Sequence, residues 1–286
     1  AKLVTLDATT TLPITLSSTS QTISGNAADV TAVFNSSGIT KSQADADVTI
    51  SGNTTVAQAN IVQSQTTGEI TATITETDMA TLANINGSAT AGGSGNTYTI
   101  SIGDTEVSAS AVTTLAGKTS GTVTLSTANK ITGTLAEVNT LYDSTANLTG
   151  DGNENVTITD TTLSAADLIT ANGNTTGTVT VDATSISGSV ANVNTVLGYA
   201  SDGSDGVAGL GYDEAVTITD TTVDVTALLT TLGATTGNPQ TNGTVLTSGL
   251  ITLGADVDAI TGTVAELTWA LTQSKTVADP TNDTTG

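Results

Sequence analysis

Threonine alternates with valine and isoleucine in short runs along the chain. VTITDTT begins at residue 156 and again at 216, with relatives ISIGDTE at 100 and VTISGNTT at 48. A period of two puts apolar side chains on one face of a strand and hydroxyls on the other, so each run predicts a short, half-buried strand. Gly-led runs follow: GEITATIT at 68, GTVTLST at 121 and GTVTVDAT at 177. At the last copy Gly237 is followed by an insertion, NPQTNGTVLTSG. The period then becomes helical. ITGTLAEVNTLY at 131, ISGSVANVNTVL at 186 and ITGTVAELTWAL at 260 space their apolar residues as Leu135, Val138, Leu141; Val190, Val193, Leu197; and Val264, Leu267, Leu271. Related segments are ISGNAADVTAVF at 23 and, degenerate, ITETDMATLANI at 74. Thr134 with Glu137 and Thr263 with Glu266 have capping-box spacing; Ser164 with Asp167 and Asn26 with Asp29 are weaker variants. Helices of about two turns do not persist alone in water, so they must pack on the neighbouring strands.

These segments recur as a half repeat (1–40) followed by four full repeats (41–95, 96–147, 148–205 and 206–275), each divisible into two related halves. A polar tail, 276–286, reads as a linker or frayed end. Nine strand–strand–helix units of one plan predict a β-rich solenoid, a single elongated domain of stacked coils sharing a thin core; tandem β-sandwich-like domains are the alternative.

Composition fits a thin core. The 286 residues are 37% hydrophobic but only 2% aromatic, so Val, Ile, Leu and Ala must fill the interior. A mean hydropathy of +0.12 argues against disorder. Charge is sparse and one-sided: 27 acids against five bases, all Lys (Lys2, Lys41, Lys118, Lys130, Lys275), for a net of −22. Without a basic patch the chain lacks the footing to bind nucleic acid or anionic membranes. No apolar run approaches the roughly 20 residues that insert in a bilayer. Such charge keeps a protein soluble and attracts divalent cations. His and Cys are absent, which removes the thiol nucleophile, the commonest neutral-pH base and the usual transition-metal ligands. The chain reads as a non-enzyme, and a bound metal would be hard and oxygen-ligated. The start at Ala1, without Met, reads as a processed chain or a piece of a longer one.

Acid and amide clusters stand ahead of the VTI strands: Asp45 and Asp47; Asp151, Asn153, Glu154 and Asn155; Asp213 and Glu214, with Asp202 and Asp205 upstream. DGNEN offers oxygen ligands at alternate positions with Gly between, like the start of a calcium loop. Asp151, Asn153, Asn155, Asp202, Asp205, Asp213 and Glu214 are therefore the candidate Ca²⁺ ligands, beside the plainer reading of Asp, Asn and Gly as turn formers. The recurring Asp104, Asp160 and Asp220 form either a carboxylate ladder or a set of turns. Repeated T-x-T (Thr122/Thr124, Thr157/Thr159, Thr178/Thr180, Thr217/Thr219) sets hydroxyls on one strand face, resembling the ice-binding surface of Thr-rich antifreeze proteins. Asn-x-Ser/Thr triplets, as at Asn53 and Asn86, admit glycosylation if the protein is exported.

Taken together, the VTITDTTLSAADL and ITGTLAEVNTLY segments and the acidic, Cys-free, Thr/Ala/Gly/Asn-rich composition resemble the repeat regions of large secreted bacterial cell-surface proteins: S-layer proteins, repetitive adhesins and haemolysin-type exoproteins. No GGxGxDxxx array appears, so calcium binding by the haemolysin-type mechanism is not carried over. The resemblance implies an extracellular structural module that self-associates into a layer or filament. A Thr-ladder ligand-binding module, for ice or glycan, is the alternative.

Overall fold

A computed structural model describes residues 2–16, 22–41, 45–87, 95–144, 147–202, 206–210, 214–228, 251–253, 255, 257–264 and 277–278. The chain divides into two compact units, one of residues 1–129 and 140–151, the other of residues 130–139 and 152–286.

In the first unit a six-stranded sheet runs, in spatial order, Leu148–Thr149, Val123–Leu125, Thr97–Ile102, Ile70–Ile74, Asp47–Thr54 and Thr22–Gly25. A small second pair joins Ile14–Leu16 to Ile39–Lys41. In the second unit one ladder joins Lys130–Gly133, Asn155–Ile158, Val179–Thr180 and Val207–Ala208. Another runs Thr162–Ser164, Ser185–Gly188, Ala215–Ile218, Ile251–Leu253 and Val277–Ala278, and Thr222–Asp224 pairs with Ala259–Thr261.

Every described strand pair is parallel. Parallel neighbours need a crossover, and helices supply it: Ala27–Asn35, Val56–Gln63, Met79–Leu82, Ala109–Ala116, Leu135–Ser144, Ala165–Gly173 and Val190–Asp202. A further helix, Lys2–Thr9, opens the chain and buries none of its residues. The fold is α/β.

That finding overturns the β-rich solenoid expected of the repeats, and the sandwich alternative with it. Some strands are only two residues long, whereas the crossover helices reach thirteen residues and bury a full apolar stripe. Leu135, Val138 and Leu141 are buried, as are Val190, Val193 and Leu197. The helices are thus a packing layer rather than a corner of a β-coil, and strand alternating with helix along a chain yields separate all-parallel sheets. A sandwich would need antiparallel strands, and none occurs among the described pairs.

Strand register carries the core. The pattern of Ile70–Ile74 alternates buried and exposed strictly, and Val48, Ile70, Ile100 and Val123 all lie buried in the first unit. In the second, Ile131, Val156 and Val179 sit side by side through Val156, as do Leu163, Ile186 and Val216 through Ile186.

Candidate functional site

The same register that aligns the apolar positions aligns hydroxyls on the opposite strand face. In the first unit Ser24, Thr49, Thr71 and Thr97 are successive partners across four strands, and Ser101, Thr124 and Thr149 across three. In the second unit Thr132, Thr157 and Thr180 form one row and Ser164, Ser187 and Thr217 another. Ser24, Thr49 and Thr71 are exposed. Several hydroxyls bond one another, as do Thr124 and Thr149 (3.0 Å), Thr97 and Ser120 (2.9 Å), and Ser185 to Thr162 (3.0 Å). Others donate to carboxylates: Ser36 to Asp7 and Thr97 to Glu69. These rows form a hydrogen-bonding surface.

A second recurring structure lies at the start of each Gly-led strand. Thr66-Thr-Gly68, Thr119-Ser-Gly121 and Thr175-Thr-Gly177 build one corner three times. In each, the buried Thr hydroxyl accepts the N–H of the Gly two residues on, at 3.0, 2.9 and 3.0 Å. The hydroxyl also donates to a carbonyl of the adjoining segment: Ala46 at 2.6 Å, Asn96 at 2.9 Å and Glu154 at 2.6 Å. Gly is required for closeness. A Cβ at Gly121 would lie 2.3 Å from the Tyr98 carbonyl oxygen, and one at Gly177 would lie 2.2 Å from that of Glu154.

Beneath the Thr119 corner lies a buried polar network. Asn96, fully buried, donates from Nδ2 to the Gln63 Oε1 and to the Tyr98 hydroxyl (2.9 Å), and accepts the Ile70 N–H on Oδ1 (2.9 Å). Burial pushes the Tyr98 phenol far above its ordinary range.

No family model, curated protein or solved structure matches the chain.

The acids singled out from the sequence divide by what they do. Asp104 Oδ2 accepts the Met79 N–H at 2.6 Å, Asp160 the Leu135 N–H at 2.7 Å, and Asp220 the Val190 N–H at 2.6 Å. Glu76 does the same for Val56 at 3.0 Å. Each acid thus takes a free amide at the start of a helix lying 20–30 residues earlier in the chain. The three recurring Asp residues are helix caps supplied by the following repeat.

The candidate Ca²⁺ ligands are placed differently. Asp151 is exposed in the first unit. In the second unit Asn153 is exposed, and Asn155 accepts the Thr178 N–H on Oδ1 at 2.9 Å. Between them Glu154 is buried and accepts the N–H groups of Gly152 (2.8 Å) and Asn153 (3.1 Å). Glu214 is also buried. Asp202 ends the helix Val190–Asp202, its side chain not described; Asp205 and Asp213 lie outside the described residues. Among the described residues no three carboxylates gather closely enough to hold a metal ion. Nor is any described helix long and apolar enough to cross a membrane.

Sequence reasoning missed the Thr-x-Gly corner, the buried Asn96 network and the burial of Glu154. The first had a signal, since the triplet Thr-Thr/Ser-Gly precedes every Gly-led run, including 235–237 outside the described residues. The second had none, because Asn96 stands in the polar stretch GSGNTY and nothing local distinguishes a buried Asn from a turn Asn.

Proposed function

We propose that the chain is an extracellular structural module of a bacterial surface layer, filament or adhesin, and that it works by self-association. The observation that carries this reading is the open sheet edge. Thr22–Gly25 is the outermost strand of the first unit's sheet, with Asp47–Thr54 its one partner among the described residues. An unpaired parallel edge presents N–H and C=O groups to any strand of matching register. Beside this edge lies a groove of about 470 Å³, lined by Lys2, Leu3, Leu16, Ser24, Asn26 and Asp29. The groove leaves room for an added segment, and the chain's own strands already pair in this parallel register many times over. The resemblance of the repeats and acidic composition to surface proteins supports the extracellular setting.

Electron microscopy with sedimentation velocity tests it. Wild-type protein is expected to form filaments or sheets at raised salt, and Ser24→Pro, which removes an edge donor, to reduce them. Protein that stays monodisperse at high concentration in raised salt would sink the reading.

One observation favours a second reading. The in-register row Ser24–Thr49–Thr71–Thr97 spaces hydroxyls at about 4.8 Å, a regular array for binding ice or glycan. Thr49→Val with Thr71→Val would abolish ice-growth inhibition or glycan binding if that surface is used, and would leave assembly intact.

A further inference from the structure

The sequence holds three Asn-Gly pairs: Asn86-Gly87, Asn172-Gly173 and Asn242-Gly243. The first two lie in contrasting settings, and the third lies outside the described residues. Asn86 is exposed in the non-helical segment after the helix Met79–Leu82. Asn172 and Gly173 form the end of the helix Ala165–Gly173, where the Gly173 N–H belongs to the helical hydrogen-bond ladder.

We propose that Asn86 is a site of spontaneous self-modification. The backbone nitrogen of Gly87, deprotonated by hydroxide, attacks Cγ of Asn86. The new N–Cγ bond closes a five-membered succinimide, the Cγ–Nδ2 bond breaks, and Nδ2 leaves as ammonia. Water then adds to either ring carbonyl. Opening at Cγ gives aspartate; opening at the main-chain carbonyl gives isoaspartate, in which the chain runs through the side-chain carbon. One water enters and one ammonia leaves, with no oxidant or cofactor. Glycine is the residue that admits the reaction best here, because it puts no Cβ beside the attacking nitrogen.

What the modification would disturb is specific. Asn86 N–H donates to Asn60 Oδ1 at 2.8 Å, and Asn60 Nδ2 donates to the Asn84 carbonyl at 2.8 Å. Lys118 Nζ donates to the Ala83 carbonyl at 2.7 Å, and the Lys118 backbone lies against Gly87. Residues 83–87 are thus fastened both to the helix Val56–Gln63 and to Lys118. An isoaspartyl link inserts a methylene into that fastened stretch and adds a negative charge to a chain already at −22. The event works as a molecular clock that loosens this clamp.

The test uses the full chain aged at mildly alkaline pH and then cut after Glu. Cleavage gives 77–106 containing Asn86 and 155–214 containing Asn172. Peptide 77–106 is expected to exchange NH for O roughly tenfold faster than 155–214, the factor set by about 1.4 kcal/mol of helix opening. It should also accept a methyl group from an isoaspartyl methyltransferase. Gly87→Ala should slow the change, Asn86→Gln should abolish it, and unfolding in urea should bring the two rates together. Equal rates in the folded chain, or a Gly87→Ala protein that ages as fast as wild type, would overturn the proposal.

Discussion

At the scale of single residues, the Thr-x-Gly corners are the most demanding positions. Thr119 Oγ1 accepts the Tyr98 N–H (2.7 Å) as well as that of Gly121. Thr119→Val keeps the shape but strands two buried N–H donors, which costs on the order of 3 kcal/mol; Thr119→Ser should cost 1 kcal/mol or less, by rough estimate. Gly121→Ala is worse, because backbone must move to admit the methyl, and about 4 kcal/mol or more is expected. Urea unfolding midpoints rank the three variants directly. Tyr98 gives a pH signature. Its folded-state pKa is raised by burial, so the folded chain holds a phenolic proton that the unfolded chain releases above the ordinary phenol value of 10.0. The stability tied to that proton is full below pH 10.0 and is lost as pH rises beyond it. Wild type should therefore lose stability on the alkaline side more steeply than Tyr98→Phe, compared by urea melts between neutral and strongly alkaline pH. Asp78 acts at the other end. Bonds from the side chain and backbone N–H of Thr81 hold its carboxyl below 3.8, so the stability it lends is present above that pH and fades as acid protonates it.

Elements here are finished by their neighbours. Capping was legible where it is local: Thr134 accepts the Glu137 N–H at 3.2 Å while Glu137 accepts the Thr134 N–H at 2.9 Å, and Asn26 accepts that of Asp29 at 2.8 Å. It was not legible where the cap comes from the next repeat, since no local pattern ties Asp160 to Leu135. Apolar spacing gave the buried helix faces correctly at 135–141 and 190–197, yet Val264 is 82% exposed. Strand and helix units are legible in the repeats, but the class is not, because a strand of two residues such as Leu148–Thr149 carries no mark of which strand it pairs with. What decides class is that helices such as Leu135–Ser144 and Val190–Asp202 connect parallel strands and bury an apolar stripe. Asp160→Ala should cost about 1 kcal/mol of stability and Asp160→Asn roughly half that, because Asn keeps the acceptor and loses only its attraction for the helix end. The gap between wild type and Asp160→Asn should shrink in salt while that between Asn and Ala stays, which urea melts at low and high ionic strength would read.

For the whole molecule, charge is the governing quantity. A net of −22 repels copies from one another and strains each compact unit from within. Added NaCl should therefore raise the thermal midpoint and promote association together, and calorimetry beside light scattering across a salt series tests both. A chain whose melting temperature is flat in salt would show that its acids are already locally compensated. Composition made this legible from the start. The candidate calcium ligands were not so readable, because the motif DGNEN mixes residues of opposite fate: Glu154 turns inward to hold backbone amides while Asp151 and Asn153 face solvent.

The borrowed acids also dictate where the chain can be cut. A fragment ending between the helix that begins at Leu135 and Asp160 would keep every residue of that helix but lose the group that completes its first turn. Ending after Asp160, or after Asp220 for the helix beginning at Val190, keeps it. The natural joints for shortening, duplicating or splicing this protein therefore fall two strands beyond the boundaries that the repeats suggest at 147 and 205.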